Sequence, residues 1–385
     1  MSLSRSTNKR NILFLYIITF LQGMVFYGAI ATLYRTDRGL TLVQIGWLDA
    51  VFCIVSVACE VPWGLVCDRI GYRKTIIISS GLFFLSKLAF WQAHGIGLFM
   101  AERILLGITV AGLSGCDSAY VYRNCEKNES GRVFGYMSAL GTMGMLVASC
   151  LTSMFMTENF ALTGMWTTIT YGIAFVLTWF LTDVPYEKGE EVSSLKDMFR
   201  LFSQYKPYLL FLLVCALSHE AMHLISVFYN QLLYQRAGIS LMWYGYIYAA
   251  LNLLALSSAS LGKLLDHFEA RKIMIGVIMI SAVTFFMLTL KLPAVPVVLL
   301  VGVLVVAEAL YVPLMSEVSN RLVSGGNRAT VLSFFAMIND VGMMSMDVSA
   351  GYLGDIELNM ALIACGIVSV IAIVVVSMTS LKKAS

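Results

Sequence analysis

The run His219-Glu220-Ala221-Met222-His223 sets two imidazoles one helical turn apart with a carboxylate between them. This is the H-E-x-x-H spacing with which zinc hydrolases hold a metal on one helix face and keep a Glu as general base. No third ligand stands out in the sequence. In an apolar helix the same side chains equally suit a cavity wall that titrates near neutral pH, and a buried structural His pair is the third reading. Further acids fall inside apolar runs: Asp49, Glu60, Glu308, Asp340 and Asp347, the last two a heptad apart and so on nearly one helix face. A charged carboxylate at membrane depth is costly, which makes each a candidate proton carrier. Glu308 and Asp340 lie nearest mid-depth and come first, with polar contacts between helices as the competing role. Arg103 and Asp49 fall at similar depth, roughly 12 Å in at ~1.5 Å per residue, and form a candidate proton-sensitive pair. Lys87 and Glu102 flank the turn at 94–95 at equal distance and read as a hairpin salt bridge.

Residues at such depths need helices long enough to cross a bilayer. Of 385 residues, 59% are hydrophobic and 13% charged, and mean hydropathy is +0.81, which excludes a soluble globule. The apolar runs are continuous rather than alternating, which excludes a transmembrane barrel. The formal charge of +3 gives no footprint for nucleic acid, and the eight cysteines read as free thiols without metal spacing. Length, punctuation and charge predict spans at 11–34, 41–67, 73–92, 96–121, 132–156, 161–182, 207–234, 241–265, 273–290, 294–318, 330–353 and 359–380. Lys and Arg concentrate in one set of loops, leaving only Arg35, Arg38, Arg236 and Lys291 on the other side, so both termini are expected in the cytoplasm. The one substantial hydrophilic connection divides the chain into an N-terminal six-helix bundle (1–183), a central linker (184–206) and a C-terminal six-helix bundle (207–385). The halves repeat: Gly64-x-x-x-Asp68 followed by Arg73-Lys74 has a counterpart in Gly262-x-x-x-Asp266 followed by Arg271-Lys272.

The run Gly64-Leu-Val-Cys-Asp68-Arg69-Ile-Gly71-Tyr-Arg73-Lys74 resembles the signature loop of the major facilitator superfamily, and the six-plus-six plan fits over the full length. The resemblance implies an all-α integral membrane fold of twelve helices in two pseudo-symmetric bundles. It assigns Gly64, Asp68, Arg69, Gly71, Arg73 and Lys74 to a conformational latch that Asp117 completes. Gly262, Asp266, Arg271, Lys272 and Glu317 are the second-half counterpart, weakened by His267 and Glu269 where the pattern has Arg and Gly. Arg103-Ile-Leu-Leu-Gly107 is similar to the family's helix-four motif, with Leu106 in place of its usual Gln. Helix five carries Gly135, Gly141 and Gly144 without the Pro of family antiporters, so antiport does not follow from it.

The combined expectation is a transporter working by alternating access, with no cofactor and no enzymatic activity. Its task reads as proton-coupled export of a small amphipathic or drug-like molecule, similar to bacterial efflux members. A proton-coupled nutrient symporter is the alternative, and an intramembrane H-E-x-x-H zinc metalloprotease the remote one. Gln22, Phe26, Tyr27, His219, Glu220, His223 and Asn230 are the candidate cavity lining, an apolar and aromatic wall. The expected partners are the substrate, protons and the lipid bilayer. A multi-pass monomer in the inner membrane is expected.

Overall fold

The computed structural model describes residues 5–114, 116–125, 129–156, 159–184, 208–256, 268–323 and 328–379, and these contain no strand. Gly262, Asp266, His267 and the linker after Val184 lie outside them. Hydrocarbon supplies no hydrogen bonds, so a helix, which pairs its own backbone, is the form an apolar run must take. The helices are α1 (Arg5–Gly23), α2 (Ala31–Asp37), α3 (Leu42–Ile70), α4 (Tyr72–Gln92), α5 (Ile96–Leu113), α6 (Cys116–Asn124), α7 (Ser130–Phe155), α8 (Phe160–Thr178), α9 (Leu209–His223), α10 (Asn230–Arg236), α11 (Tyr244–Ala255), α12 (Ala270–Leu288), α13 (Ala294–Leu322), α14 (Arg328–Ile356) and α15 (Leu358–Met378). Three spans are interrupted, so α1 with α2, α5 with α6, and α9 with α10 each make one crossing. Ten crossings are long and apolar enough to be recognised by composition. The other two are α11, a shorter apolar helix, and α14, whose hydropathy is diluted by Asp340, Asp347 and Asp355.

The chain forms two compact units. One comprises Met1–Leu40, Val51–Glu190 and Leu241–Ala249, and the other Thr41–Ala50, Glu191–Ser240 and Ala250–Ser385. The first turns of α3 therefore belong to the second unit, and those of α11 to the first. The packing scheme recurs in both. In the first unit α1 lies on α7 and α8, and α4 on α5 and α8; in the second, α9 lies on α14 and α15, and α12 on α13 and α15. Gly144 brings α7 against the Phe20 carbonyl of α1, and Gly23 meets Gly141, so any Cβ at Gly144 or Gly23 would collide with backbone. Gly135, by contrast, faces open space.

The repeat has a physical task visible only in three dimensions. Arg38, just past α2, donates through Nη1 to the carbonyls of Trp91 (2.8 Å) and Ala93 (2.6 Å) at the end of α4, with its guanidinium 4.2 Å from the Tyr34 ring centroid. Arg236, 198 positions further on, bonds the Leu288 carbonyl at the end of α12 and Asn359 Oδ1 at 2.7 Å. Arg73 opens α4 and donates to the Trp179 carbonyl (3.0 Å) just past α8, with Asp183 at 3.6 Å. Arg271, again 198 positions on, donates to the carbonyls of Val376 (3.0 Å) and Ser377 at the end of α15. Each helix C-terminus has carbonyls without an intrahelical donor and a partial negative charge, and a guanidinium meets both needs.

An acid does the converse at a helix start. Both oxygens of Asp355 on α14 accept from the first amides of α3, Leu42 N at 2.7 Å and Val43 N at 3.0 Å. Gly46 and Gly351 allow this approach, since a Cβ at either would strike the backbone of Asp347 or Leu42.

Removing an arginine cap leaves buried carbonyls without a donor, and a hydrogen bond to a charged group is worth about 1.5–3 kcal/mol. Arg38→Ala and Arg236→Ala are each expected to lower stability by about that amount, read as a fall in the melting temperature of the purified protein in detergent. An unchanged melting temperature in both would remove the capping role.

Candidate coupling and substrate site

The first span unwinds between α1 and the 3-10 turn Gly28–Ile30. Its freed backbone groups are satisfied by neighbouring side chains: Phe26 N donates to Thr167 Oγ1 (3.0 Å), the Phe26 carbonyl accepts from Thr152 Oγ1 (2.7 Å), and the Gln22 carbonyl accepts from the Tyr171 hydroxyl (2.6 Å). The seventh span carries a π-helical stretch, Leu224–Tyr229, between α9 and α10. There Asn230 Nδ2 bonds the Ser226 carbonyl (2.9 Å) and Gln231 Nε2 the Val227 carbonyl (3.1 Å). Interrupted helices at corresponding positions of two repeats point to a transporter's binding region, and π-turns gather at functional sites. Gly23 and Gly28 flank the first interruption in the sequence. The second lies in a stretch without Gly or Pro and left no such sign.

The π-turn follows His223 directly. His223 Nδ1 lies 2.8 Å from Glu308 Oε1 of α13, a contact between partly exposed side chains. His219, one turn earlier, lies parallel to the Tyr311 ring (centroids 5.9 Å, 11°) and 6.3 Å from the His223 ring. Tyr311 is fixed by its hydroxyl, which donates to the Cys215 carbonyl at 3.0 Å. Glu220 is fully buried near Asp347, itself 4% exposed, and within electrostatic reach of His223 and Glu308. Asp49, carried by the first turns of α3 in this same unit, lies within electrostatic reach of Glu220 and His223. Beside His219 opens a cavity of about 390 Å³ whose walls include Leu212, Tyr311, Met315, Phe335 and Asn339. Asp340 follows Asn339 on α14 and is half-buried, while Glu60 is exposed.

Carboxylates and two imidazoles thus lie near one another, yet among the described residues no three His, Cys, Asp or Glu side chains are arranged to hold a metal ion. Within the H-E-x-x-H run, His219 stacks on Tyr311, His223 contacts Glu308, and Glu220 is buried near Asp347.

The first unit buries charged groups of its own. Lys87, 5% exposed, donates to the Tyr27 hydroxyl at 3.0 Å and sits among the rings of Tyr27, Phe83 and Tyr171. This replaces the expected bridge to Glu102, whose carboxylate lies 3.5 Å from Arg103 Nε. Asp49 and Arg103 belong to different units. Gln22, Phe26 and Tyr27 are at the first-span interruption, with Phe26 and Tyr27 buried among α7, α8 and α4. Asn230 is buried and turned back on its own helix.

In the signature loop, Gly64, Asp68, Arg69 and Lys74 are exposed, and Gly71 has φ 83° and ψ 164°, a backbone region open essentially to glycine alone. It turns the chain from α3 into α4. Arg73 points to the end of α8, as described. Asp117 sits in the first turn of α6 and accepts from Ser118 N at 2.6 Å. In the second unit Lys272 lies in the first turn of α12 beside Arg271, which binds the end of α15, and Glu317 lies on α13.

Comparison with known proteins agrees with this architecture. The Major Facilitator Superfamily profile matches residues 12–305 and 255–384. An MFS-type transporter of Methanocaldococcus jannaschii is 21% identical over 367 residues, covering 90% of this chain and 92% of that protein. Multidrug resistance protein 2 of Bacillus subtilis is 31% identical over 102 residues, 26% of each chain. The crystal structure of the nucleoside transporter NupG superposes with a TM-score of 0.78 at 17% identity, covering 95% of this chain and 98% of that one. Profile coverage, the twelve crossings and the twofold packing scheme make this chain a member of the major facilitator superfamily, a multi-pass membrane transporter and not an enzyme.

Proposed function

We propose that this chain is a proton-coupled exporter of small amphipathic organic molecules, working by alternating access between its two repeats. The observation that carries this reading is the His223–Glu308 contact of 2.8 Å beside the π-turn. An imidazole and a carboxylate at that separation share or exchange a proton, and each proton gained or lost changes the net charge of the pair at a depth where charge is costly. Two conformations that solvate the pair differently therefore bind the proton with different free energies, which is the requirement for coupling. Asp49 and Glu220 extend the acidic surroundings of the pair, Asp340 and Asp347 are further coupling candidates of the second half, and Arg103 and Glu60 are those of the other half.

The cavity beside His219 has the volume of a small organic ligand and walls of Leu212, Met315, Tyr311 and Phe335, the composition that suits lipophilic and aromatic compounds. The local likeness to a multidrug resistance protein favours the same class. The second reading, proton symport of a polar nutrient, draws on Asn339 and Ser316 in the same wall and on the fold shared with a nucleoside transporter. The protein is proposed to act as a monomer in the inner membrane with both termini in the cytoplasm.

Asp68, with Gly64, Arg69, Gly71, Arg73, Lys74 and Asp117, is read as the latch, and Arg271, Lys272 and Glu317 as its second-half counterpart with Gly262 and Asp266.

In proteoliposomes under an imposed pH gradient, screened with lipophilic cations, antibiotics, nucleosides and sugars, one compound class is expected to move protons when added. The sign of that flux separates exchange from symport. Glu308→Gln is expected to abolish gradient-driven accumulation while leaving substrate counterflow; accumulation at the native rate would sink Glu308 as the coupling acid. Asp68→Asn is expected to slow transport about tenfold, roughly 1.4 kcal/mol, with substrate-induced thermal stabilisation unchanged. Native transport in that variant would end the latch assignment.

A further inference from the structure

We propose that Cys67 and Cys116 are a redox site, forming a reversible intramolecular disulfide that clamps the signature-loop end of α3 to α6. Their sulfurs are 2.7 Å apart although 49 positions separate them in the chain, and both side chains are buried, at 5% and 6% exposure. A disulfide bond is about 2.05 Å long, so closure needs a movement of under about 1 Å.

The backbones on either side already hold these turns together. Gly107 of α5 lies against the Phe52 carbonyl and Ser56 amide of α3, and Gly112 against the Trp63 ring, with no room for a Cβ at either glycine. Cys116 is the first residue of α6, directly after the interruption in the fourth span, where Ser114 leaves helical geometry at φ −54° and ψ 118°. A bond from Cys116 to Cys67 would bridge that interruption and tie both of its sides to α3. Asp68 and Asp117 are the next residues along the chain from the two cysteines. Oxidation would therefore immobilise both acids of the signature-loop region at once. This consequence rests on the latch reading; formation of the bond does not.

The chemistry balances with a two-electron oxidant such as a diazene or a peroxide. With diamide, one thiol adds across the N=N bond and its hydrogen passes to nitrogen. The second sulfur then attacks the first, the S–N bond breaks, and the hydrazine departs with the second proton. Two S–H bonds are lost, one S–S bond is formed and the diazene is reduced by two electrons. A thiol reductant reverses the change, as expected of a disulfide with a sensing role rather than a structural one.

The test treats the purified full-length protein with diamide, denatures it and counts free thiols with a polyethylene-glycol maleimide. Two of the eight thiols should become unreactive, recover with dithiothreitol, and map by mass spectrometry to one cross-linked peptide pair containing Cys67 and Cys116. Cys67→Ser and Cys116→Ser should each abolish the cross-link, and hydrogen exchange across residues 113–124 should slow in the oxidised wild type only. Eight reactive thiols after oxidation, or a cross-link mapped to any other pair, would overturn the proposal. Peptide mapping on the wild type decides the question even if a variant fails to fold. No transport assay enters the test, so its outcome is independent of the proposed function.

Discussion

In hydrocarbon an unpaired backbone amide or carbonyl has no water to turn to, and the structure is organised by this constraint. Most of the chain satisfies it by remaining helical. Where the helix stops, a side chain from elsewhere takes over. Thr152, Thr167 and Tyr171 serve the unwound turn at Phe26, Asn230 and Gln231 serve the π-turn, and Asp355 serves the first amides of α3. The arginines at 38, 73, 236 and 271 serve the C-terminal ends of four helices. Interruptions are costly in such a medium, and those in the first and seventh spans persist because side chains satisfy the freed groups.

The same cost governs the ionisable groups. Lys87 is held by a hydroxyl and three aromatic rings, Arg103 lies by Glu102, and His223 by Glu308. The first unit holds Arg35, Lys87 and the neighbours Glu102 and Arg103 in its interior, and the second Glu220, Glu308 and Asp347 with two histidines. A histidine beside a carboxylate is the arrangement whose charge can change by one proton without separating two full charges.

The fold class was legible because membrane helices are dictated by local composition. Continuous apolar runs, loop charge and the Asp68 loop with its echo 198 residues on led to twelve crossings in two related halves. The candidate site was legible in part. Glu308 and His223 each stand out as ionisable groups inside apolar runs, and Gly71 as part of a motif. Their partnership was hidden, since 85 residues separate the pair and no helical periodicity on one span reveals which face of another it meets. The bridge expected between Lys87 and Glu102 shows the same limit, because equal distance from a turn says nothing about rotation about the helix axis.

Sequence alone determined the medium, the number of crossings, the twofold repeat and the stock of residues able to carry charge, all properties of single segments measured against a bilayer. Tertiary structure decided which charges meet, which arginine caps which helix, and that within the H-E-x-x-H run His219 stacks on Tyr311 while His223 contacts Glu308. It also decided the π-turn, which has no Gly or Pro to announce it, and the approach of Cys67 to Cys116. These depend on the rotation and depth at which one helix packs against another, quantities set by the summed contacts of both.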